Sequence, residues 1–152
     1  MGLSRRRGGV ADVPQAWVPR SVVPLISLRL LQRGLGAVFF ASRLSQLGML
    51  VASGAALAYG RAFKSAKVDQ LPDLTVISGL PRWAYPRGGV TVGRVFLTGP
   101  QPTAALLRHE SRHVEQWRTY GLAMPILYWL AGRDAHSNWF EVEAGLDDGG
   151  YL

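Results

Sequence analysis

Apolar and polar positions change period several times along the chain. Between Leu106 and Trp117 the period is helical. At about 100° per residue, Leu106, Leu107, His109, Glu110, His113, Val114 and Trp117 fall on one broad stripe. Arg108, Ser111, Arg112, Glu115, Arg118 and Thr119 fall on the other face. Pro102 or Thr103 can start this helix and Gly121 can end it. Its inward stripe is unusual, because two histidines and a carboxylate lie among Leu, Val and Trp. A carboxylate in such surroundings costs several kcal/mol unless it is paired or near a metal.

Before this helix, Leu74 to Ser78 reads as a strand, after a polar break over Asp69 to Asp73. Gly79 to Gly89 reads as turns, and Val90 to Leu97 as a second strand interrupted by Gly93. After it, Met124 to Leu130 fits a short apolar helix with Pro125 in its first turn and Gly132 beyond its end. Asp134 or Ser137 can cap a last helix to about Ala144, with Gly145 following. Gly149 to Leu152 reads as a tail.

The front half is apolar and rich in small residues. Phe39, Phe40, Leu44, Leu47, Leu50, Val51 and Leu57 recur at helical spacing, with Ser42, Ser45 and Gln46 off the stripe and Arg43 within it. A membrane span needs about 20 apolar residues. Leu44 to Tyr59 is shorter and carries Gln46, two serines and two glycines. A helix packed on the domain is therefore preferred to a membrane-surface helix, and that to a spanning one. Met1 to Pro24 holds Arg5-Arg6-Arg7 and prolines 14, 19 and 24, with no apolar run directly after the arginines. It reads as a tail rather than a signal peptide. The expected organisation is an irregular basic tail over 1–24, an apolar and basic helical segment over 25–67, and a metal-binding domain over 68–152.

Composition narrows the chemistry. The 152 residues suffice for one core. The absence of cysteine excludes disulfides, thiolate metal sites, iron–sulfur clusters and cysteine nucleophiles. Any metal must be held by His, Asp or Glu. The net charge of +7 is uneven: residues 1–67 carry ten basic side chains and one acid, and residues 68–152 carry seven basic and nine acidic. Residues 22–67 thus suit an anionic membrane surface or an acidic partner. No nucleic-acid recognition motif is present, and no nucleic-acid partner is expected. The expected location is cytoplasmic, with peripheral membrane association as the extension of that charge pattern.

The chemistry centres on His109-Glu110-Ser111-Arg112-His113. Two imidazoles four residues apart stand one turn apart on the same face and can reach one metal ion, and Glu110 beside them can take a proton from a metal-bound water. A catalytic zinc site needs a third protein ligand. The candidates are Asp134, His136, Glu141, Glu143, Asp147 and Asp148. Asn138, Glu141 and Ala144 share a helix face, and Glu143 lies roughly 200° from Glu141, so only one of the two glutamates can point inward. Glu141 is preferred, with His136 second.

His-Glu-x-x-His followed by a helix with Glu-x-x-Ala is similar to the gluzincin metallopeptidases. In the membrane-bound prenyl-protein proteases and their bacterial relatives, Phe-Glu-x-x-Ala-Asp supplies the third ligand, and that pattern falls on Phe140, Glu141 and Ala144. A closer resemblance is to the small domain of unknown function found with extracellular contractile injection systems. Its Thr-x-Gly, apolar strand and Leu-Leu-x-His-Glu-x-x-His-Val-x-Gln resemble Thr91 to Gly93, Val95 to Leu97 and Leu106 to Gln116. The likeness covers about residues 88–146. It implies an α+β, minimal zincin-like (mini-gluzincin) domain, mostly helical, with a small sheet or hairpin before the motif helix. The family's Asp after Glu-x-x-Ala, which orients a ligand His, is Gly145 here; Asp147, Asp148 and Asn138 are the available substitutes.

The first reading is a zinc-dependent peptidase acting on a peptide or protein substrate. Zn2+ is held by His109, His113 and Glu141, with water in the open position and Glu110 as general base. The Val90 to Leu97 strand offers an edge for an extended peptide. His136, Tyr120 and Tyr128 are candidates to stabilise the oxyanion, with Asn138 as a supporting group. The second reading is a non-catalytic adaptor at a membrane surface, its metal site closed by Asp134 or His136. The third is a metal-free His–Glu–His network in the core.

Overall fold

Ser42 opens the first helix, its hydroxyl accepting from the Ser45 amide at 3.3 Å. The computed structural model describes residues 42–151, and helix α1 runs from Arg43 to Arg61. The basic tail, the start of the apolar segment and Phe39 and Phe40 lie outside the described residues. The core-facing side of α1 is not the leucine stripe. Ser45, Gly48, Met49, Ala52, Ala56 and Gly60 are buried, whereas Leu44, Leu47, Leu50 and Val51 are 58–70% exposed. Close packing is the reason. A Cβ on Gly48 would stand 3.0 Å from the Leu122 amide nitrogen, and one on Gly60 would stand 2.5 Å from Ile77 Cδ1. Only a face of small residues lets the helix axis come so near. Among the described residues, no helix is long and apolar enough to cross a membrane.

Four short strands follow: β1 (Lys67–Gln70), β2 (Thr75–Ser78), β3 (Val90–Val92) and β4 (Val95–Leu97), in the order β1-β2-β4-β3. β2 and β4 are parallel, and the two outer pairs are antiparallel. Two expectations are corrected here. The supposed polar break at Asp69 overlaps β1, an edge strand with no buried residue and therefore no alternation to betray it. The single strand over Val90 to Leu97 is a hairpin, with Val92 paired to Val95 across Gly93-Arg94. Gly93 has φ +63° at the first turn position, as a tight two-residue hairpin requires. A Cβ there would also collide with Ser53 Oγ of α1. Because β4 is wholly buried and β3 partly so, the pair reads as one apolar run.

The sheet lies between two helices. Ile77, Val95 and Leu97 pack towards Ala56 of α1. Val76 and Phe96 point the other way, with Leu74, onto Val114 of helix α2 (Ala104–Tyr120). Thr103 caps α2, accepting from the Leu106 amide at 3.2 Å, and Gly121 ends it at φ +53°. Helix α3 (Met124–Leu130) has Pro125 in its first turn. Helix α4 (Trp139–Ala144) is capped by Asn138, whose Oδ1 accepts from Phe140 N at 3.0 Å, and not by Asp134 or Ser137. The Asp134 carbonyl instead accepts from the Ser137 and Asn138 amides and forms the preceding turn. Met49, Ala52, Trp117, Met124 and Phe140 form one cluster, so α1 shares a core with the helices that carry the site.

Candidate metal centre

Helix α2 brings His109, Glu110 and His113 to one buried face, and α4 brings Glu141 to meet them. The ligand atoms of His109, His113 and Glu141 all lie within 4.8 Å of one another. His109 Nε2 is 3.1 Å from His113 Nε2 and 3.1 Å from Glu141 Oε2, and His113 Nε2 is 3.7 Å from that oxygen. Ligand atoms around a tetrahedral ion with bonds of about 2.0–2.1 Å stand about 3.3 Å apart. The three observed edges bracket that value.

The surrounding hydrogen bonds fix which ring nitrogens carry protons. Gln116 Nε2 donates to the Phe140 carbonyl at 2.9 Å and to Glu143 at 3.0 Å. Its amide oxygen is therefore the atom 2.7 Å from His113 Nδ1, and it can only accept. His109 Nδ1 is 2.9 Å from the Gly145 carbonyl, again an acceptor only. When a ring carries one proton, it therefore sits on Nδ1 and the Nε2 lone pair faces inward. Glu141 Oε1 accepts from the Tyr128 hydroxyl, while Oε2 is buried with no hydrogen-bond partner. Three lone pairs thus converge on one point in the interior. A cation at that point satisfies all three.

The electrostatics agree. Burial opposes charge on Glu141, but imidazoles carrying a proton at Nε2, together with the Tyr128 hydroxyl, outweigh it and hold the carboxyl well below its usual range. Burial lowers the His109 pKa, yet Glu141, the Gly145 carbonyl and Glu110 overcome this and raise it. A proton is drawn to the place where a cation would sit. Glu110 is raised chiefly by burial, against the imidazoles and the Thr91 hydroxyl, which donates to Oε2 at 2.6 Å.

A cavity of about 520 Å³ opens beside these groups, walled mainly by apolar atoms of Val92, Leu106, Trp117 and Met124. The Thr91 carbonyl of β3 accepts from Trp117 Nε1 at 3.0 Å. That bond ties β3 to α2 and occupies one of the two lone pairs of the carbonyl.

His109, Glu110, His113 and Glu141 line the cavity together, as does Tyr128. His136 and Asp134 are exposed and do not line it, and neither joins the ligand group. Tyr120 packs on Trp139 and Phe140, away from the cavity. Asn138 caps α4 and donates to the Tyr128 and Gly132 carbonyls, so it supports α3. Glu143 is exposed and serves Gln116. Asp148 pairs with Arg108 at 2.6 Å rather than with a ligand His. The group that meets His109 Nδ1 is the carbonyl of Gly145, at φ +95°.

Sequence reasoning missed Gln116, Thr91 and Tyr151. Gln116 follows His113 by three residues and so shares its face, a signal that could have found it. Tyr151, read as tail, lines the cavity with its ring 5.9 Å from that of His109. Nothing in the local sequence marks it. The turn that carries it passes so close that a Cβ on Gly149 would stand 2.7 Å from His109 Cε1. Gln116→Leu keeps the bulk and removes the acceptor that orients His113. It is expected to weaken zinc binding by about 10–100-fold. Competition against a chromophoric chelator measures this; wild-type affinity would show the amide to be dispensable.

No family model matches the chain, and neither a curated protein nor a solved structure matches it.

Proposed function

We propose that this chain is a small zinc-dependent metallopeptidase, a minimal zincin of gluzincin type. The observation that carries the reading is the convergence of the His109, His113 and Glu141 lone pairs beside an open cavity, on a helix that also presents Glu110. The donor set of two imidazoles and one carboxylate fits a catalytic zinc, since three protein ligands leave one position open. Bound zinc supplies a Lewis acid and lowers the pKa of a coordinated water to about 7.

The chain's own groups do the rest. Glu110, with one oxygen held by Thr91, accepts the proton of the attacking water and passes it to the leaving amine. Tyr128 occupies Oε1 of Glu141 and so reserves Oε2 for the metal. The Tyr151 phenol is pushed up to about 12 by burial and by the charge and hydrogen-bonding pull of Glu141. It therefore stays protonated at neutral pH and can donate a hydrogen bond to a developing oxyanion. The apolar walls hold substrate side chains and exclude water.

Elemental analysis of the purified protein is expected to give one zinc per chain, and a peptide library is expected to be cleaved by the zinc-loaded form and not after chelation. No metal after zinc supplementation would sink the reading. The adaptor reading draws on the outward leucines of α1 and on exposed Arg61, Lys64 and Lys67 at its end. Zinc without cleavage, together with co-sedimentation on anionic vesicles, would favour it instead.

A further inference from the structure

The mouth of the cavity carries charge that the metal site does not use. Arg87 lines the opening from the loop that leads into β3. Its backbone is left-handed, with φ +49°, and it is the one non-glycine residue with positive φ among those described. Glycine adopts that conformation freely, and Gly88 and Gly89 follow at once. Keeping a long side chain on strained backbone at a cavity mouth points to a use for the side chain.

The side chain has a fixed direction. Arg87 Nη2 donates to the carbonyl of Arg133 at 2.8 Å, bridging the loop before β3 and the turn after α3. Neither arginine forms an ion pair among the described residues, and this is the only hydrogen bond Arg87 donates there. The remaining N–H groups of the fork are unspent. Arg133 adds a second positive charge to the same rim. The acids that line the cavity are Glu110 and Glu141, both held at the floor by bonds already described. An apolar cavity with a cationic rim favours an elongated apolar ligand with one negative end at that rim.

We propose that Arg87 is the specificity-determining residue of this site, binding a carboxylate of the peptide through the paired N–H geometry that guanidinium and carboxylate share. That carboxylate is either a free C-terminus or an Asp or Glu side chain. The proposal rests on the peptidase reading for its ligand class, but not on turnover.

The test uses the zinc-loaded Glu110→Gln chain, so that binding is read without cleavage. Short apolar peptides are titrated calorimetrically in matched pairs: free C-terminus against C-terminal amide, and internal Glu against Gln with the terminus amidated. The acid of one pair is expected to bind about 10–100-fold tighter than its amide, and the pair that shows the preference identifies the source. Arg87→Gln should abolish the preference, and Arg87→Lys should lose most of it, because an ammonium cannot form the fork. Zinc content and far-ultraviolet circular dichroism should be unchanged in both. Equal binding of acid and amide, no binding of any peptide, or a preference that survives Arg87→Gln would each overturn the proposal. A preference with no cleavage by the wild type would remove the peptidase reading alone; cleavage without a preference would remove this one alone.

Discussion

Glu141→Ala is expected to reduce bound zinc from one per chain to a trace. Among the described residues, the carboxylate is the one member of the candidate ligand group from outside α2, and its Oε2 completes the triangle with the two imidazoles. Two histidines on one helix leave two positions open and bind far more weakly. Glu141→Gln is the sharper variant. It keeps the shape and can still accept from Tyr128, but it removes the charge. Inductively coupled plasma analysis of both variants is the measurement, and full occupancy in either would reassign the third ligand.

The same substitution has a pH signature. A raised His109 pKa contributes stability that is fully present below its unfolded value of about 6.5 and is lost as pH rises through the folded value. The metal-free wild type should therefore lose stability as pH rises across this range. Zinc requires deprotonated imidazoles, so the stability that loading adds grows in the same direction. Melting temperatures with chelator and with zinc should diverge as pH rises from about 6 to about 8. In Glu141→Ala the group that most raises the His109 pKa is gone, and the metal-free slope should flatten.

Glu110→Gln is expected to leave zinc in place and to lower kcat by about 100- to 10,000-fold. Glu110 is not one of the three converging ligands. Its amide replacement can still accept from the Thr91 hydroxyl, so the packing around β3 survives. What is lost is the ability to take a proton. Zinc content and peptide cleavage measured on one preparation decide the matter. Cleavage at the wild-type rate with zinc bound would mean that another group is the base.

The motif helix and the two short helices after it were legible because Pro, Gly and capping residues bound them and the apolar stripe is continuous. The inward placement of Glu141 was legible because Ala144 and Asn138 mark the buried face of α4. The orientation of α1 was not. Periodicity locates a stripe of large apolar residues, but close helix–sheet contact selects the small ones, and Gly48, Ala52, Ala56 and Gly60 won the core. The hairpin was hidden because both of its arms contribute apolar residues to the interior. Tyr151 and the Gly145 carbonyl depend on how the last turn folds back over His109, and no periodic pattern encodes a return of that kind.

The Gly145 contact changes what mutation can reach. A side chain that orients a ligand histidine is erased by one codon change and tuned by another. A backbone carbonyl is present whatever residue stands there, so no deletion of a functional group at position 145 is available to evolution or to design. The vulnerability moves from chemistry to conformation. With φ at +95°, any other residue must either strain the turn or rotate the carbonyl away from His109. Drift at this position should therefore be all-or-none, with glycine kept or the site abandoned.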